Sequence, residues 1–427
     1  MFRSSFELGD CLTSGGLYRR TVRKVFQLGL VSAWICPALA WVDPQWIVEA
    51  GRWDRVATPV QVDLGGVTDA GLHLVSEAGE SVPVQREPDG TGWFILRNLP
   101  RGTQRTYSLG SGATAADALR ATRSGDAVRI ESRGHEVLTY RTIPTDFPPG
   151  RPDLTPEFRR GAYIHPVLTP SGVPVTDDYP SDHRHHHGIW FAWSQAVFEG
   201  RKTDTWNMGE RKGTVEFVGL DSVWSGAVTA GFRSRHRQVD LTAGVPRQML
   251  DEVWNVRVLN LGGPGDVNGH VFDVDVTDAC AGDSAVRLPL YRYGGIGVRG
   301  NGAWNGTNRM HFLNSEGVTN RANGDRAETI GRWAYLGGLV DGRWGGVAVL
   351  GHPANVHAPQ PQRIHPTEPF LSMAPQQAGE VSIAPGKPLR LRYRLVALDG
   401  PPEARVLDRL WQDYAEPPLV RRAKQAE

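Results

Sequence analysis

The sequence predicts an all-β protein with a small N-terminal β-sandwich, a large antiparallel β-supersandwich and a short C-terminal helix. The 427-residue chain contains 50 glycines and 30 prolines, which are frequent in the turns between strands. Its short apolar segments alternate at period two, as half-buried strands do, and only one C-terminal segment has helical spacing. Hydrophobic residues make up 40% and charged residues 22% of the chain, which indicates a folded protein rather than a disordered one.

The first 40 residues are predicted to form a secretory signal peptide. Four basic residues between positions 19 and 24 precede a mostly apolar stretch, residues 25–39, that is too short for a comfortable membrane span. Ala38-Leu39-Ala40 is an A-x-A cleavage pattern. We therefore expect cleavage near Ala40 and export to the periplasm or the extracellular medium. An uncleaved membrane anchor is the alternative.

Loss of the leader changes both the charge and the cysteine content. The leader carries five basic and two acidic residues, so its removal lowers the net charge from +1 to −2. A slightly acidic chain is not expected to bind nucleic acid. Cys11 and Cys36 leave with the leader, and Cys280 alone cannot form an internal disulfide. Beyond the leader no apolar run reaches the roughly 18 residues of a membrane span, so no other membrane contact is expected.

Residues 41–110 are predicted to form the small β-sandwich, with no obvious catalytic cluster. Five short segments alternate between apolar and polar residues, and they are 59–64, 71–75, 82–85, 92–97 and 106–109. A stretch rich in alanine, serine and glycine, residues 111–126, then marks a boundary.

Residues 120–400 are predicted to form the supersandwich. Its candidate strands are 127–130, 135–140, 214–217, 249–260, 269–278, 285–291, 344–350 and 389–398. A proline-rich insertion, residues 143–187, interrupts them, and loops of this length are often functional. Residues 401–427 are predicted to be a helix and a tail, because Leu407, Leu410, Trp411 and Tyr414 follow helical spacing between two Pro-Pro pairs.

Four of the 13 histidines lie between positions 183 and 187, directly after Asp182. On an extended strand, His183, His185 and His187 would share one face, and His186 would lie on the other with Asp182. The imidazoles could carry acid–base catalysis, with Asp182 orienting them. They could instead bind a transition metal, with a third ligand from His165, His270, His352 or His365. A structural role in a tight loop is the third alternative.

The residues after the histidines add flat aromatic surface. Ile189, Phe191 and Trp193 alternate with Trp190, so the first three are expected in the core, whereas Trp190 and Trp206 are candidates for a pocket. Indole faces stack on the C–H faces of sugars.

Three further segments resemble binding loops. The first is a glycine-rich run that ends near Arg299, the second contains His352 and Asn355, and the third contains Arg363 and His365. We find no serine- or cysteine-nucleophile pattern, phosphate loop or zinc finger.

The run Asp182–Ala192, with residues 165–172 before it, resembles the bacterial PmoA-like family, also labelled "methane oxygenase PmoA", a domain of unknown function. In that family an acidic residue and a tryptophan follow, which correspond here to Asp204 and Trp206. The blocks 293–299, 333–335 and 346–355 are also similar, and the block order resembles a galactose-mutarotase-type supersandwich. That resemblance implies a carbohydrate ligand, with histidines and a carboxylate as acid and base.

We predict an exported carbohydrate-active enzyme that works by hydrolysis, β-elimination or epimerisation. The predicted catalytic residues are Asp182, His183, His185 and His186. The predicted substrate-binding residues are His165, Trp190, Asp204, Trp206, Arg299, His352, Asn355, Arg363 and His365. No cofactor is predicted, although a transition metal or Ca²⁺ stays open. The alternatives are a metal-dependent oxygenase or oxidoreductase with histidine ligands, and a non-catalytic glycan-binding protein.

Overall fold

The residues described by the structure, a computed structural model, form mostly antiparallel β-sheets with one α-helix near the C-terminus, as predicted. The structure describes residues 45–67, 71–112, 118–262, 267–322 and 329–423. The predicted leader, residues 1–40, and its cleavage site lie outside these ranges. None of the helices in the described ranges is long and apolar enough to cross a membrane.

The N-terminal region forms two small antiparallel sheets. Its strands are β1 (Gln45–Glu49), β2 (Arg55–Val62), β3 (Leu72–Ser76), β4 (Ser81–Pro83), β5 (Gln85–Arg86), β6 (Gly92–Leu99) and β7 (Gln104–Ser111). One sheet has the order β2-β6-β5, and the other contains β1, β7, β3 and β4. Between them lies a separate apolar core that includes Trp46, Val60, Leu74, Phe94 and Tyr107.

The described residues from 118 to 399 contain twenty more strands. In chain order the first ten are β8 (Leu119–Ser124), β9 (Ala127–Ser132), β10 (His135–Arg141), β11 (Tyr163–Val167), β12 (Ile189–Ala192), β13 (Ala196–Phe198), β14 (Arg201–Thr203), β15 (Gly213–Trp224), β16 (Thr229–Asp240) and β17 (Arg247–Leu259). The next ten are β18 (Gly269–Cys280), β19 (Val286–Leu288), β20 (Gly295–Arg299), β21 (His311–Asn314), β22 (Trp333–Val340), β23 (Arg343–Gly351), β24 (Gln362–Ile364), β25 (Phe370–Met373), β26 (Val381–Ile383) and β27 (Leu389–Asp399).

These strands form two eight-stranded sheets and a small four-stranded one. The first large sheet has the order β24-β25-β20-β12-β11-β10-β9-β8, and the second has the order β15-β16-β17-β18-β27-β23-β22-β21. Apolar residues from both large sheets meet in one core. Tyr140 of the first sheet stacks on Phe232 of the second, with ring centres 4.4 Å apart. The two sheets therefore form a sandwich, and each buries one face in a shared interior.

The C-terminal helix α1 (Ala404–Ala415) begins where helical spacing predicts it, and it buries Leu407 and Leu410 against the second sheet. The segment after it, expected only as a tail, forms strand β28 (Leu419–Arg422), which pairs with β1. Strand β19 covers only residues 286–288 of the predicted segment 285–291, because Pro289 has no N–H for the ladder.

A buried ion pair joins the N-terminal region to the helix. Arg55 Nη1 donates to Asp413 Oδ1 at 2.8 Å, and both side chains are almost fully enclosed. Arg55 also donates to the backbone oxygens of Ala50 and Glu416. Burial raises the pKa of Asp413, and the bond from Arg55 opposes that rise. The buried charges of Arg55 and Asp413 thus neutralise each other where the N-terminal region meets helix α1.

We expect Arg55→Met to destabilise the fold by about 3–5 kcal/mol at neutral pH, because it leaves the Asp413 carboxylate buried without its partner. Urea unfolding followed by circular dichroism measures the loss. The double variant Arg55→Met/Asp413→Leu should recover most of the stability, since it removes both charges. Arg52→Met is the matched control, because the Arg52–Glu416 pair is exposed and its loss should matter little. Equal effects of Arg55→Met and Arg52→Met would contradict the assignment.

Candidate functional site

The histidine segment is a turn and not a strand. The His186 N–H donates to the His183 carbonyl at 2.9 Å, and strand β12 begins only at Ile189. Gly188, which precedes that strand, has a positive φ of 41°, a conformation that favours glycine. The expected alternation of faces between residues 183 and 187 is therefore wrong, and His183, His185 and His186 line one cavity.

His183 lies between two carboxylates. Its Nδ1 is 2.7 Å from Glu368 Oε2 and 3.7 Å from Asp182 Oδ1. The Nδ1 and Oε2 atoms are close but are not aligned for a hydrogen bond. Asp182 and the nearer Glu368 raise the pKa of His183 to about 9, against a smaller opposing effect of burial. His183 is therefore an imidazolium at neutral pH.

Arg299 lies beside the carboxylates of both Asp182 and Glu368. It is fully buried, and its Nη2 donates to Asp182 Oδ2 at 2.7 Å and to Asn305 Oδ1 at 3.1 Å. Its Nη1 lies 3.7 Å from Glu368 Oε2. Burial alone would raise the pKa of Asp182, but His183 and Arg299 outweigh it and keep that pKa below its ordinary value. Asp182 thus stays ionised beside His183.

His185 and His186 have the opposite environment. Burial, followed by the positive charge of His183, lowers the pKa of His185 to about 3. Burial also lowers the pKa of His186 well below its ordinary value. The His186 ring stacks between the rings of His183 and Phe370, with both centre-to-centre distances at 4.8 Å. The neutral rings of His185 and His186 therefore lie against the charged ring of His183.

His187 lies behind the cavity. It is fully buried, and its Nδ1 lies 2.7 Å from Asp178 Oδ1. Its ring packs on Tyr163 and Tyr179, with ring centres 5.0 and 4.6 Å away. Burial lowers the pKa of His187 despite the nearby carboxylate. These contacts account for the position of His187 behind the cavity.

The sheet beneath the site separates core residues from site residues by strand alternation. Ile189, Phe191, Ile296, Val298, Leu371 and Ile364 all point into the main core. On the opposite face, Trp190 pairs with Gly297, Gly297 with Ser372, and Ser372 with Arg363. One row across strands β12, β20, β25 and β24 therefore supports the cavity.

Gly297 gives the aromatic side chains room on that row. A Cβ added there would lie 2.7 Å from Trp206 Cη2 and 2.8 Å from Trp190 Cζ2. The two indoles meet with ring centres 4.9 Å apart, and Trp206 also contacts Tyr293 at 5.3 Å. Trp206 borders the cavity but is only 1% exposed, and Trp190, which was also predicted to lie in a pocket, is wholly buried beneath His186 because the sheet and the imidazole cover it.

Asp204 fixes the turn that carries Trp206. Its Oδ1 accepts the backbone N–H groups of Trp206 and Asn207 at 2.9 and 2.7 Å, and its Oδ2 accepts the Asn207 side-chain amide at 3.0 Å. Asn207 in turn accepts a hydrogen bond from the Tyr293 hydroxyl at 3.1 Å. Asp204 is thus a positioning residue for one wall of the cavity.

The cavity has a volume of about 230 Å³. Its imidazoles are those of His183, His185, His186 and His365, and its other rings are those of Trp206, Tyr293 and Phe370. Asn207, Arg292 and Arg363 complete the lining. Such a mixture of aromatic faces and hydrogen-bonding groups is typical of a site for a small polar ligand.

Three other predicted site residues lie outside this cavity. The imidazole of His165 lies 3.0 Å from the hydroxyl of Thr176. The His352 ring packs on Tyr414 of helix α1, with ring centres 5.1 Å apart. Asn355 exchanges two 2.8 Å hydrogen bonds with the backbone of Arg392. All three have local partners that account for their positions.

Glu368 was not among the predicted site residues, although it lies three residues after His365 in the chain. Arg292 and Asn207 were also missed. Each lies beside a residue that the family blocks contain, Tyr293 and Trp206 respectively. That adjacency is the one signal in the sequence that could have found them.

One group of potential metal ligands occurs in the ranges that the structure describes. It comprises His183, His365 and Glu368, whose ligand atoms lie within 4.8 Å of one another. However, His365 Nδ1 accepts the backbone N–H groups of Thr367 and Glu368 at 3.3 and 3.1 Å. In a neutral ring the proton then lies on Nε2, so His365 offers a metal no free lone pair unless these bonds break.

Residues 127–412 match the model of a family of unknown function, DUF6807, and the chain belongs to that family. None of the curated proteins that were compared matches it. An α-mannosidase from Enterococcus faecalis V583 is similar in structure, with 9% identity and a TM-score of 0.40 over 90% of this chain and 46% of its own. A glycosyl hydrolase family 38 protein from Enterococcus faecalis has 10% identity and a TM-score of 0.41, over 90% and 48%. This chain spans about half the length of both.

We expect Gly297→Ala to displace the paired indoles and to destabilise the fold by about 1–3 kcal/mol, because the added methyl group overlaps both rings. Near-ultraviolet circular dichroism reports the tryptophan environment, and thermal unfolding reports stability. Gly282→Ala is the matched control, since an added Cβ meets nothing within 4 Å there. Unchanged tryptophan signals in Gly297→Ala would contradict the described packing.

Proposed function

We propose that the chain is an enzyme that acts on a carbohydrate by proton transfer, with His183 as the acid and His185 as the base. One observation carries this proposal: two neighbouring imidazoles of the same cavity, with ring centres 5.7 Å apart, have opposite electrostatic partners. His183 lies against two carboxylates, whereas His185 lies among cations.

These environments separate the protonation states of the two rings. At neutral pH His183, with its pKa raised to about 9, carries the proton, and His185, with its pKa lowered to about 3, is free to accept one. Acid–base enzymes separate the pKa values of neighbouring groups in this way. Hydrolysis, β-elimination and epimerisation all use such a pair, and the proposal covers all three.

The lining supports a sugar as the ligand. The cavity is smaller than the roughly 300–1,000 Å³ typical for drug-sized ligands, which suits a single small ring. Tyr293, which is partly exposed and packs on the buried Trp206, offers an aromatic face for the C–H groups of a sugar, and Asn207 offers a side-chain amide for hydroxyls. The resemblance of residues 182–192 to PmoA-like proteins and of the block order to galactose mutarotase agrees with this ligand class. Export of the mature chain is part of the proposal.

Turnover should be constant over a broad range around neutral pH and fall near pH 9, where His183 loses its proton. It should also fall near pH 3, where His185 gains one. Glu368→Gln should move the alkaline limb down towards the ordinary histidine pKa, because it removes one carboxylate from His183. Rate profiles on a panel of glycosides measure both limbs. An alkaline limb that stays near pH 9 in Glu368→Gln would contradict the assignment of His183.

His185→Gln should lower turnover by about 100-fold or more, because it removes the proposed base while keeping a polar side chain. His135→Gln, at an exposed position on β10, is the matched control and should leave turnover unchanged. Sugar binding without any product in the wild-type protein would instead support a glycan-binding protein.

A metal-dependent enzyme is the second candidate, supported by the His183, His365 and Glu368 group. Two histidines and one carboxylate are a common ligand set for iron and zinc. It ranks second because the backbone N–H groups occupy His365 Nδ1. Metal analysis of protein purified without chelators decides between the two. About one equivalent of a transition metal, lost in Glu368→Gln, would favour this candidate over the metal-free reaction.

A further inference from the structure

One aromatic wall of the cavity continues beyond the cavity itself. Tyr293 belongs to the lining, and its ring meets the ring of Tyr291, which lies outside the lining, with centres 5.0 Å apart and planes at 69°. On its inner side Tyr293 packs on the buried Trp206, with ring centres 5.3 Å apart. Three aromatic rings therefore form a continuous row from the cavity wall to the loop between strands β19 and β20.

The outer end of this row is exposed to solvent. Tyr291 and Tyr293 are each only partly buried. Leu290, which precedes Tyr291 in the chain, is 69% exposed, the largest fraction among the exposed large hydrophobic side chains of the described ranges. An exposed apolar patch that adjoins a cavity is typical of a binding surface.

Two buried glutamines hold the backbone of this loop. Gln376 Nε2 donates to the Pro289 carbonyl at 3.0 Å, and the Gln376 carbonyl accepts the Tyr291 N–H at 3.1 Å. Gln377 Nε2 donates to the Arg292 carbonyl at 3.0 Å. The loop is thus fixed on both sides of Tyr291. A surface that is held in place before its ligand arrives loses less conformational entropy on binding.

We infer that the substrate is a glycan of at least two sugar rings, with one ring in the cavity and the next ring against Tyr291 and Leu290. This inference rests on the proposed function and narrows its substrate class. The cavity of about 230 Å³ suits a single small ring, so a second ring of the same chain has to lie outside it. Tyr291 is the aromatic ring that continues the wall there, and its face can pack on the C–H groups of that second ring.

Glycans that differ only in length test this surface directly. Methyl glycosides of glucose, mannose, galactose and N-acetylglucosamine are titrated calorimetrically against the full-length protein, each beside its α- and β-linked disaccharides and trisaccharides. For at least one sugar, a disaccharide should bind about tenfold or more tightly than the monosaccharide. Tyr291→Ala should remove most of that gain. It should change the Kd of the monosaccharide less than about twofold, because Tyr291 lies outside the cavity lining.

Two further variants separate ring stacking from a loss of structure. Tyr291→Phe keeps the aromatic ring and should keep the gain from the second sugar. Leu290→Asn changes an exposed side chain of the same loop, should reduce the gain in part, and keeps the test valid if Tyr291→Ala does not fold. Leu339→Asn, exposed on β22 of the other large sheet, is the matched control and should change neither Kd.

Turnover of the same series separates this inference from the proposed function. Tyr291→Ala should lower kcat/KM for the longer glycans and leave it unchanged for the monosaccharide glycosides. Equal binding of short and long glycans, or equal weakening of both by Tyr291→Ala, would overturn the inference. If monosaccharide glycosides are turned over with the alkaline limb near pH 9 and added length changes nothing, the proposed function stands and this inference alone fails. If no sugar binds or reacts, both fail.

Discussion

The buried guanidinium of Arg299 is the interaction on which the site depends. It extends from strand β20 to Asp182 at 2.7 Å and lies 3.7 Å from Glu368, so it joins a turn, a strand and a distant loop. A buried arginine without these anions would be costly, and the anions without the arginine would repel each other. Because Arg299 and these anions compensate each other's charges, the carboxylates of Asp182 and Glu368 can both lie beside His183. The positive charge on His183 therefore depends on Asp182 and Glu368, the two carboxylates that lie beside both His183 and Arg299.

The sheet provides the second constraint. Because side chains alternate along each strand, the same four strands carry the core on one face and the cavity on the other. Ile189 and Phe191 point into the sandwich, and Trp190 points towards the site. Gly297 leaves room for two indoles on that second face. Core packing thus fixes the positions of the aromatic side chains from behind, as a preorganised binding site requires.

Local patterns in the sequence predicted those structural features that depend on residues close together in the chain. The spacing of Leu407 and Leu410 identified the helix, and the alternation at residues 189–193 correctly placed Ile189, Phe191 and Trp193 in the main core. The shape of the turn at residues 183–187 could not be predicted, because His183, Asp182 and Glu368 meet only in three dimensions. For the same reason His352 was grouped with the histidine segment, whereas it packs on Tyr414 of the helix. Convergence of loops far apart in the chain leaves no periodic signal.

At neutral pH two neighbouring histidines of one cavity, His183 and His185, hold opposite protonation states. Nuclear magnetic resonance of protein with ¹⁵N-labelled histidine rings measures this directly, with His183→Gln and His185→Gln used to assign the signals. We predict that at pH 7 His183 is doubly protonated and His185 is neutral, with apparent pKa values near 9 and 3. If both rings titrate together near the ordinary value of about 6.5, His183 and His185 cannot be the proposed acid and base.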